Sequence, residues 1–366
     1  MRNRMRVAAG SFLLLLLLLP VLPCGGQDAP PAPGVDKVDQ ALSRAVSFLV
    51  GVQDKEGVIQ DPERGRHNQT VMTSLALLAM AAVGHQVTDE TKEGAAMRKA
   101  LAFVLRPDRQ EENGYFGNRD GSRMYGHGIT TLMLCEMLGM GVDGQQDQVI
   151  RDRVRKALQL ILRAQGVRKD PRSQGGWRYN PDSADSDLSV TVWQLMALRA
   201  AKNAGMEVPK EAIDRAVEYV KRCYYSKKTK DGKNENPRSA CGYEPGRSPE
   251  YAMAAAGLLS LQVCGEYECP EVAGSADWLR EHKLKYESEW FFYGTYYYAQ
   301  GMFQRGGEYA AHARRQVEDL LLSQQGKDGS WTARHGQEHA AGRVYATSLG
   351  VLSLAVKCHF LPIYQR

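Results

Sequence analysis

The chain has 366 residues, 43% of them apolar and 24% charged, with a formal net charge of +5. This balance excludes an intrinsically disordered chain and is enough for a sizeable core. Arg2, Arg4 and Arg6 are the only charged residues among the first 26, and without them the charge falls to +2. Strong electrostatic capture of nucleic acid or of a membrane surface is therefore also excluded.

At the start of the chain those three arginines precede the run Leu13 to Leu19, followed by Pro20 and small residues. This is the layout of a secretory signal, and cleavage is expected after Gly26. The apolar core is nearer about 12 residues than the roughly 20 that a span requires, so no transmembrane anchor is expected after cleavage. Lipid attachment at Cys24 is the alternative fate of this end. An exported protein, periplasmic or extracellular, follows from either. Residues 27–34 form a Pro-rich linker, and residues 35–366 make up one folded domain. Six cysteines remain in it, of which Cys264 and Cys269 flank a short turn and could pair. The absence of any C-x-x-C pair argues against a metal site, and no cofactor is implied.

From Val35 onward the pattern is helical. Val38, Ala41, Leu42, Ala45, Phe48 and Leu49 recur at helical spacing, and the stretch from Gln53 to Gly57 breaks the run. Residues 71–83 then read as a helix that is apolar nearly all round. The same pairing returns as 95–105 with 129–140, 149–164 with 187–204, 210–224 with 249–263, 272–283 with 291–303, and 309–324 with 344–359. In each pair the first helix is amphipathic and the second mostly apolar. The apolar helices share a mark, a Thr with an apolar residue seven places later. Thr73, Thr130, Thr191, Thr295 and Thr347 carry it, and Ala254 takes that place in the fourth pair. Polar-faced helices outside and apolar helices inside describe an all-α (α/α)6 toroid of about twelve helices in six hairpins. Six units without a polar capping repeat favour a closed ring over an open solenoid.

The loops within the hairpins carry a second recurring sign. Gln325 precedes Gly329-Ser-Trp331, Gln165 precedes Gly175-Gly-Trp177, and Asn113-Gly-Tyr115 and Cys241-Gly-Tyr243 look like worn copies. Gly lets the chain leave a helix at positive φ while the ring covers the exposed edge, which is a structural role. Together with the hairpins, these loops resemble the terpenoid cyclase and protein prenyltransferase superfamily, the prenyltransferase and squalene oxidase repeat proteins. The resemblance implies a toroid whose inner-helix N-termini face a cavity for an isoprenoid or similar substrate. The chemistry of that family is unfilled here. The Asp-x-Asp-Asp-Thr motif of squalene-hopene-type cyclases aligns with Asp187-Leu-Ser189-Val-Thr191, which puts a hydroxyl where the proton donor belongs. No His precedes an inner-helix Thr as a zinc ligand would, and Glu250 stands at the place of the family's Cys ligand. Cys264-Gly-Glu-Tyr267 lacks the Gln of a thioester site.

The polar residues expected near the ring's mouth are Tyr125 and His127 before the second inner helix, Asp185 and Asp187 before the third, Glu244 and Glu250 before the fourth, and Arg343 before the sixth. Tyr293 belongs to an aromatic run that would line the centre. Asp187, Asp185 and His127 are the candidates for acid and base work. For the aspartates, capping of a helix N-terminus is the simpler role. The expected function is an exported toroid that binds a ligand, a lipid or a glycan, in its central cavity without the known cyclase or zinc chemistry. The alternatives are an enzyme acting on a polyisoprenoid or a glycan, and a protein-binding scaffold. A cavity lined by aromatic and apolar side chains would favour lipid, paired carboxylates across a wet groove would favour glycan, and a filled cavity would favour a scaffold.

Overall fold

The computed structural model describes residues 36–365 apart from Arg66 and His359. The expected signal and Pro-rich linker lie outside the described residues. In chain order, α1 (Lys37–Gly51) and α2 (Gln69–Ala82) form the first hairpin. The second is α3 (Lys92–Val104) and α5 (Arg123–Glu136), with the short α4 (Gly117–Asp120) between them. Then come α6 (Gly144–Gln165) with α7 (Leu188–Asn203), α8 (Lys210–Cys223) with α9 (Tyr251–Val263), and α10 (Pro270–Glu281) with α11 (Phe291–Arg305). The sixth is α12 (Gly307–Gln324) and α14 (Arg343–Leu354), separated by the short α13 (Gly336–Ala341). Strand-like pairing is confined to isolated bridges among the described residues.

The inner helices α2, α5, α7, α9, α11 and α14 pack side by side in that order, and α14 returns onto α2, so the ring is closed. The fold is an (α/α)6 toroid. Five outer helices lean chiefly on the inner helix of the preceding hairpin, α3 on α2, α6 on α5, α10 on α9, α12 on α11 and α1 on α14, while α8 divides evenly between α7 and α9. This offset explains why the inner helices read as apolar all round, since each is covered by two inner neighbours and by outer helices of two units.

A single side-chain device joins four of the six seams. Gln165 Nε2 donates to Gly175 O in its own loop (2.9 Å) and to Ala212 O on the next outer helix (2.8 Å). Gln53 does the same to Gly57 O and Ala96 O, Gln110 to Gly114 O and Arg153 O, and Gln325 to Gly329 O and Ala41 O. The last of these ties the sixth unit to the first. Gly57, Gly114, Gly175 and Gly329 all have φ between 88° and 94°, and a Cβ on any of them would lie 2.1 to 2.4 Å from a carbonyl oxygen of the next outer helix. Only glycine fits that approach.

Two residues after each of these glycines, a buried amide meets an inner helix. Ile59, Trp177 and Trp331 donate to Thr73, Thr191 and Thr347 Oγ1 at 3.0 to 3.1 Å, and Phe116 donates to His127 Nδ1 at 3.3 Å. Both indoles turn back on their own outer helix, Trp177 to Ile161 O and Trp331 to Leu321 O, each at 2.8 Å. Thr130 instead accepts from Ser74 Oγ, and Thr295 bonds Phe291 O within its own helix.

The bore of the ring is filled. Trp193 from α7 stacks on Tyr296 (5.7 Å between ring centroids, 11° between planes) and touches Tyr293 and Tyr297 of α11, all of them buried. The C-terminal segment closes the end at which the inner helices finish. There Tyr364 bonds Tyr296 hydroxyl to hydroxyl, and Ile363 N donates to the buried Glu136 at 3.3 Å. Two small cavities, of about 60 Å³ and about 10 Å³, flank this segment. They could hold a water or two, not a lipid. The six described cysteines are unbridged.

Candidate functional site

At the opposite end, where the inner helices begin, carboxylates cap backbone amides from an unusual position. Asp120 of α4 accepts from Thr70 and Val71 N of α2, Glu338 of α13 accepts from Phe292 and Tyr293 N of α11, and Asp61 accepts from Val344 N of α14. In all three the acid comes from the next unit around the ring, so capping also fastens neighbours together. Asp187 caps its own helix through Val190 N at 2.9 Å.

Asp187 is also the hub of a larger cluster. Its second oxygen accepts from Tyr243 OH at 3.1 Å and pairs with Arg178 Nε at 3.2 Å, while Ser189 Oγ donates to the first at 2.6 Å. Burial raises its carboxyl above the ordinary range; the Ser189, Val190, Arg178 and Tyr243 donors pull the other way. Arg178 extends outward to Asp185 and, at 3.9 Å, to Glu244, and its guanidinium lies over the rings of Tyr179 and Tyr243. Tyr179 and Tyr243 bond hydroxyl to hydroxyl, and Tyr179 stacks on Tyr125 with centroids 5.9 Å apart. Tyr125 OH reaches Ser189 Oγ, and Tyr293 OH donates to Ser189 O across the ring at 2.6 Å. The three outer phenols are half-buried, while the Asp185 and Glu244 side chains remain 53% and 33% exposed. The result is a set of aromatic faces beside one guanidinium and two solvent-facing carboxylates.

The structure therefore gathers Tyr125, Asp185, Asp187, Glu244 and Tyr293 in one place. It sets three other candidates apart. His127 is wholly buried between Phe116 N and Ala157 O, and burial lowers its imidazole to about 4, so it is neutral at pH 7. Glu250 is the exposed N-cap residue of α9 and makes no side-chain cap bond. Arg343 pairs with Asp61 and Asp328 and covers the Phe48 ring, a contact between the last unit and the first. Among the described residues no three His, Cys, Asp or Glu side chains are placed to hold a metal, and His335 and His339, four residues apart, are no exception.

Arg178 and Tyr179 were not among the residues singled out by sequence. They directly follow Trp177, and with that indole buried the next two side chains emerge at the ring's mouth. The Gln stitches at Gln53 and Gln110 were also legible, since Gln-x-x-x-Gly stands at 53–57, 110–114 and 325–329. At 165–175 the spacing is stretched, which hides the common form.

No protein-family model matches the sequence, and no curated protein does. Solved structures do resemble it. The GH76A α-1,6-mannanase of Salegentibacter sp. HEL1_6 superposes with a TM-score of 0.61 at 11% identity, over 89% of this chain and 100% of that one. An inactive variant of the same mannanase, in which two consecutive aspartates are asparagine, is in complex with α-1,6-mannotriose. The cellobiose 2-epimerase of Bacillus thermoamylovorans B4167 gives 0.62 at 12% identity over 87% and 99%, and a protein from Actinoplanes gives 0.55 at 15% over 88% and 99%. At such identities the likeness shows the fold. It also corrects the kinship expected from the loops, because the similar structures are a mannanase, an epimerase and glycosidases, not terpenoid cyclases or prenyltransferase repeat proteins. The Gln, Gly and Trp signs that carried that resemblance are parts of the seam between helical hairpins. They report how a toroid is packed, not which chemistry it houses.

Proposed function

We propose that the protein recognises a glycan at the mouth formed by the inner-helix N-termini. The observation that carries this reading is the cluster of Tyr125, Tyr179 and Tyr243 around Arg178, Asp185 and Glu244. A sugar ring offers an apolar C–H face and a belt of hydroxyls. The face suits a phenol ring, and the hydroxyls suit a guanidinium and carboxylates held in fixed positions. The mannotriose complex of a protein with a similar fold supports the same choice of ligand. A lipid in the bore is not supported, because aromatic side chains occupy it.

Recognition is favoured over hydrolysis. A glycosidase needs two carboxylates flanking the scissile bond. The similar mannanase is inactivated by changing two consecutive aspartates, and this chain contains no two consecutive aspartates. Asp187 is saturated with donors, Asp185 is drawn to Arg178, and Glu244 pairs with Arg247 at 3.3 Å as well as with Arg178. Calorimetric titration of manno- and gluco-oligosaccharides tests the reading, with the mixture analysed by chromatography for turnover. Binding that weakens about fivefold to tenfold in Tyr179→Ala is expected, in line with the ~1 to 1.4 kcal/mol of an aromatic contact. Equal binding by wild type and Tyr179→Ala would place the sugar elsewhere. The filled bore favours a second reading, a scaffold that binds protein by its rim; a blank glycan screen and a co-purifying protein would select it.

A further inference from the structure

Among the described residues, left-handed backbone positions are filled by glycine with two exceptions, Asn68 at φ 61° and Arg123 at φ 55°. Asparagine tolerates that region because its short polar side chain can bond locally; a long side chain with a Cβ is strained there. Arg123 is thus a costly residue for its position. The surroundings dictate its backbone and not its side chain. A Cβ on Gly117 would lie 1.9 Å from the Arg123 carbonyl oxygen, and the next amide, Met124 N, donates to Tyr179 O at 2.9 Å. Glycine or asparagine at 123 would satisfy both contacts.

What arginine adds is a cation at the mouth. Its side chain is exposed and makes no ion pair among the described residues. The nearest acid in sequence, Asp120, is buried and committed to the Thr70 and Val71 amides. The backbone of Arg123 is one residue from an amide held by Tyr179, whose ring stacks on that of Tyr125. The adjoining segments at the mouth also carry exposed His67 and Arg119, and they meet where Asn68 N donates to Asp120 O.

We propose that Arg123 makes the site selective for an acidic glycan, by receiving a carboxylate or sulfate of a sugar seated on the Tyr125 and Tyr179 rings. The planar guanidinium matches such a group with two parallel hydrogen bonds. Backbone strain held at a functional position is the stability cost of presenting it there. This inference rests on the glycan reading above. Matched neutral and uronic-acid oligosaccharides of one linkage are titrated into wild type, R123G and R123N, and the thermal unfolding of each protein is recorded. Wild type is expected to bind the uronate about tenfold or more tighter than the neutral sugar. In R123G and R123N the two affinities should converge while the unfolding midpoint holds or rises, because both residues relax the strain. Unchanged uronate preference in both variants overturns the proposal and leaves neutral-sugar recognition intact. A lowered unfolding midpoint with equal loss of both sugars also overturns it, by making Arg123 structural. Failure of wild type to bind either sugar removes the glycan reading itself.

Discussion

The seam between the third and fourth hairpins and the seam between the fourth and fifth solve one problem in two ways. In the former, Gln165 reaches two backbone carbonyls and accepts from Arg215 of the next outer helix at 2.8 Å, while Gly175 lets that helix approach. In the latter there is no such glutamine. Tyr224 OH accepts from Ser239 N at 3.0 Å and donates to Pro237 O at 3.1 Å, tying down the loop that leads to α9, and α10 comes close to that phenol at Gly274. The glutamine stitch needs only one side chain and two carbonyls, so it can recur wherever a helix ends beside another. The tyrosine seam depends on a loop of its own and occurs once. A stitch that answers only to backbone is a poor guide to function, and this is why its presence suggested a kinship that the solved structures do not support.

The largest effect expected from this contrast lies at the glycines. Gly175→Ala places a Cβ 2.1 Å from Arg215 O at φ 91°, where backbone yields on neither side, and should cost roughly 3 to 5 kcal/mol. Gly232→Ala, in the loop of the tyrosine seam, also has a positive φ but nothing within 4 Å, and should cost about 1 kcal/mol. Equal losses in urea unfolding would show that contact with the next helix is not the cause.

Next in size is a pH effect at the seam between the second and third hairpins, where His127 replaces a Thr as the loop's acceptor. Its folded pKa of about 4 lies below the ordinary 6.5, so the unfolded chain binds the extra proton. Stability should therefore be intact above about pH 6.5 and fall by roughly 3 kcal/mol as the pH drops towards 4. His127→Gln should flatten that limb of the profile; an unchanged slope would assign acid sensitivity to other groups.

The smallest contrast compares the two fastenings directly. Gln165→Ala removes the bonds to two buried carbonyls and the acceptor of Arg215 and should cost about 2 to 3 kcal/mol, whereas Tyr224→Phe strands one amide and one carbonyl at about 1 to 2 kcal/mol. Denaturant midpoints of the two variants check the order. A reversed order would mean that the tyrosine loop, not the glutamine, limits the stability of the ring.

Much of the architecture was present in the residue pattern by itself. Apolar periodicity separates two helix classes, and the Thr-to-apolar spacing counts six units, because a helix must bury the stripe it presents and each buried stripe needs a partner of the same length. Asp187 could likewise be placed at the start of α7, since capping is decided within four residues of chain. Helix limits were less legible at α5, which starts at Arg123 and not near Ile129. Its first two turns, interrupted by Gly126, His127 and Gly128, carry no continuous apolar stripe; they are set by the meeting of Gly117 with the Arg123 carbonyl and by His127 bonding Ala157. Tertiary structure alone decided the rest. The bore is filled because Trp193 meets three tyrosines from a helix about a hundred residues later in the chain. The same holds for the cluster of Asp187, Arg178 and Tyr243, and for the placing of His127 and Arg343 outside it. Hydrogen bonds between side chains of different units depend on how the ring closes, and ring closure leaves no periodic trace in any one of them.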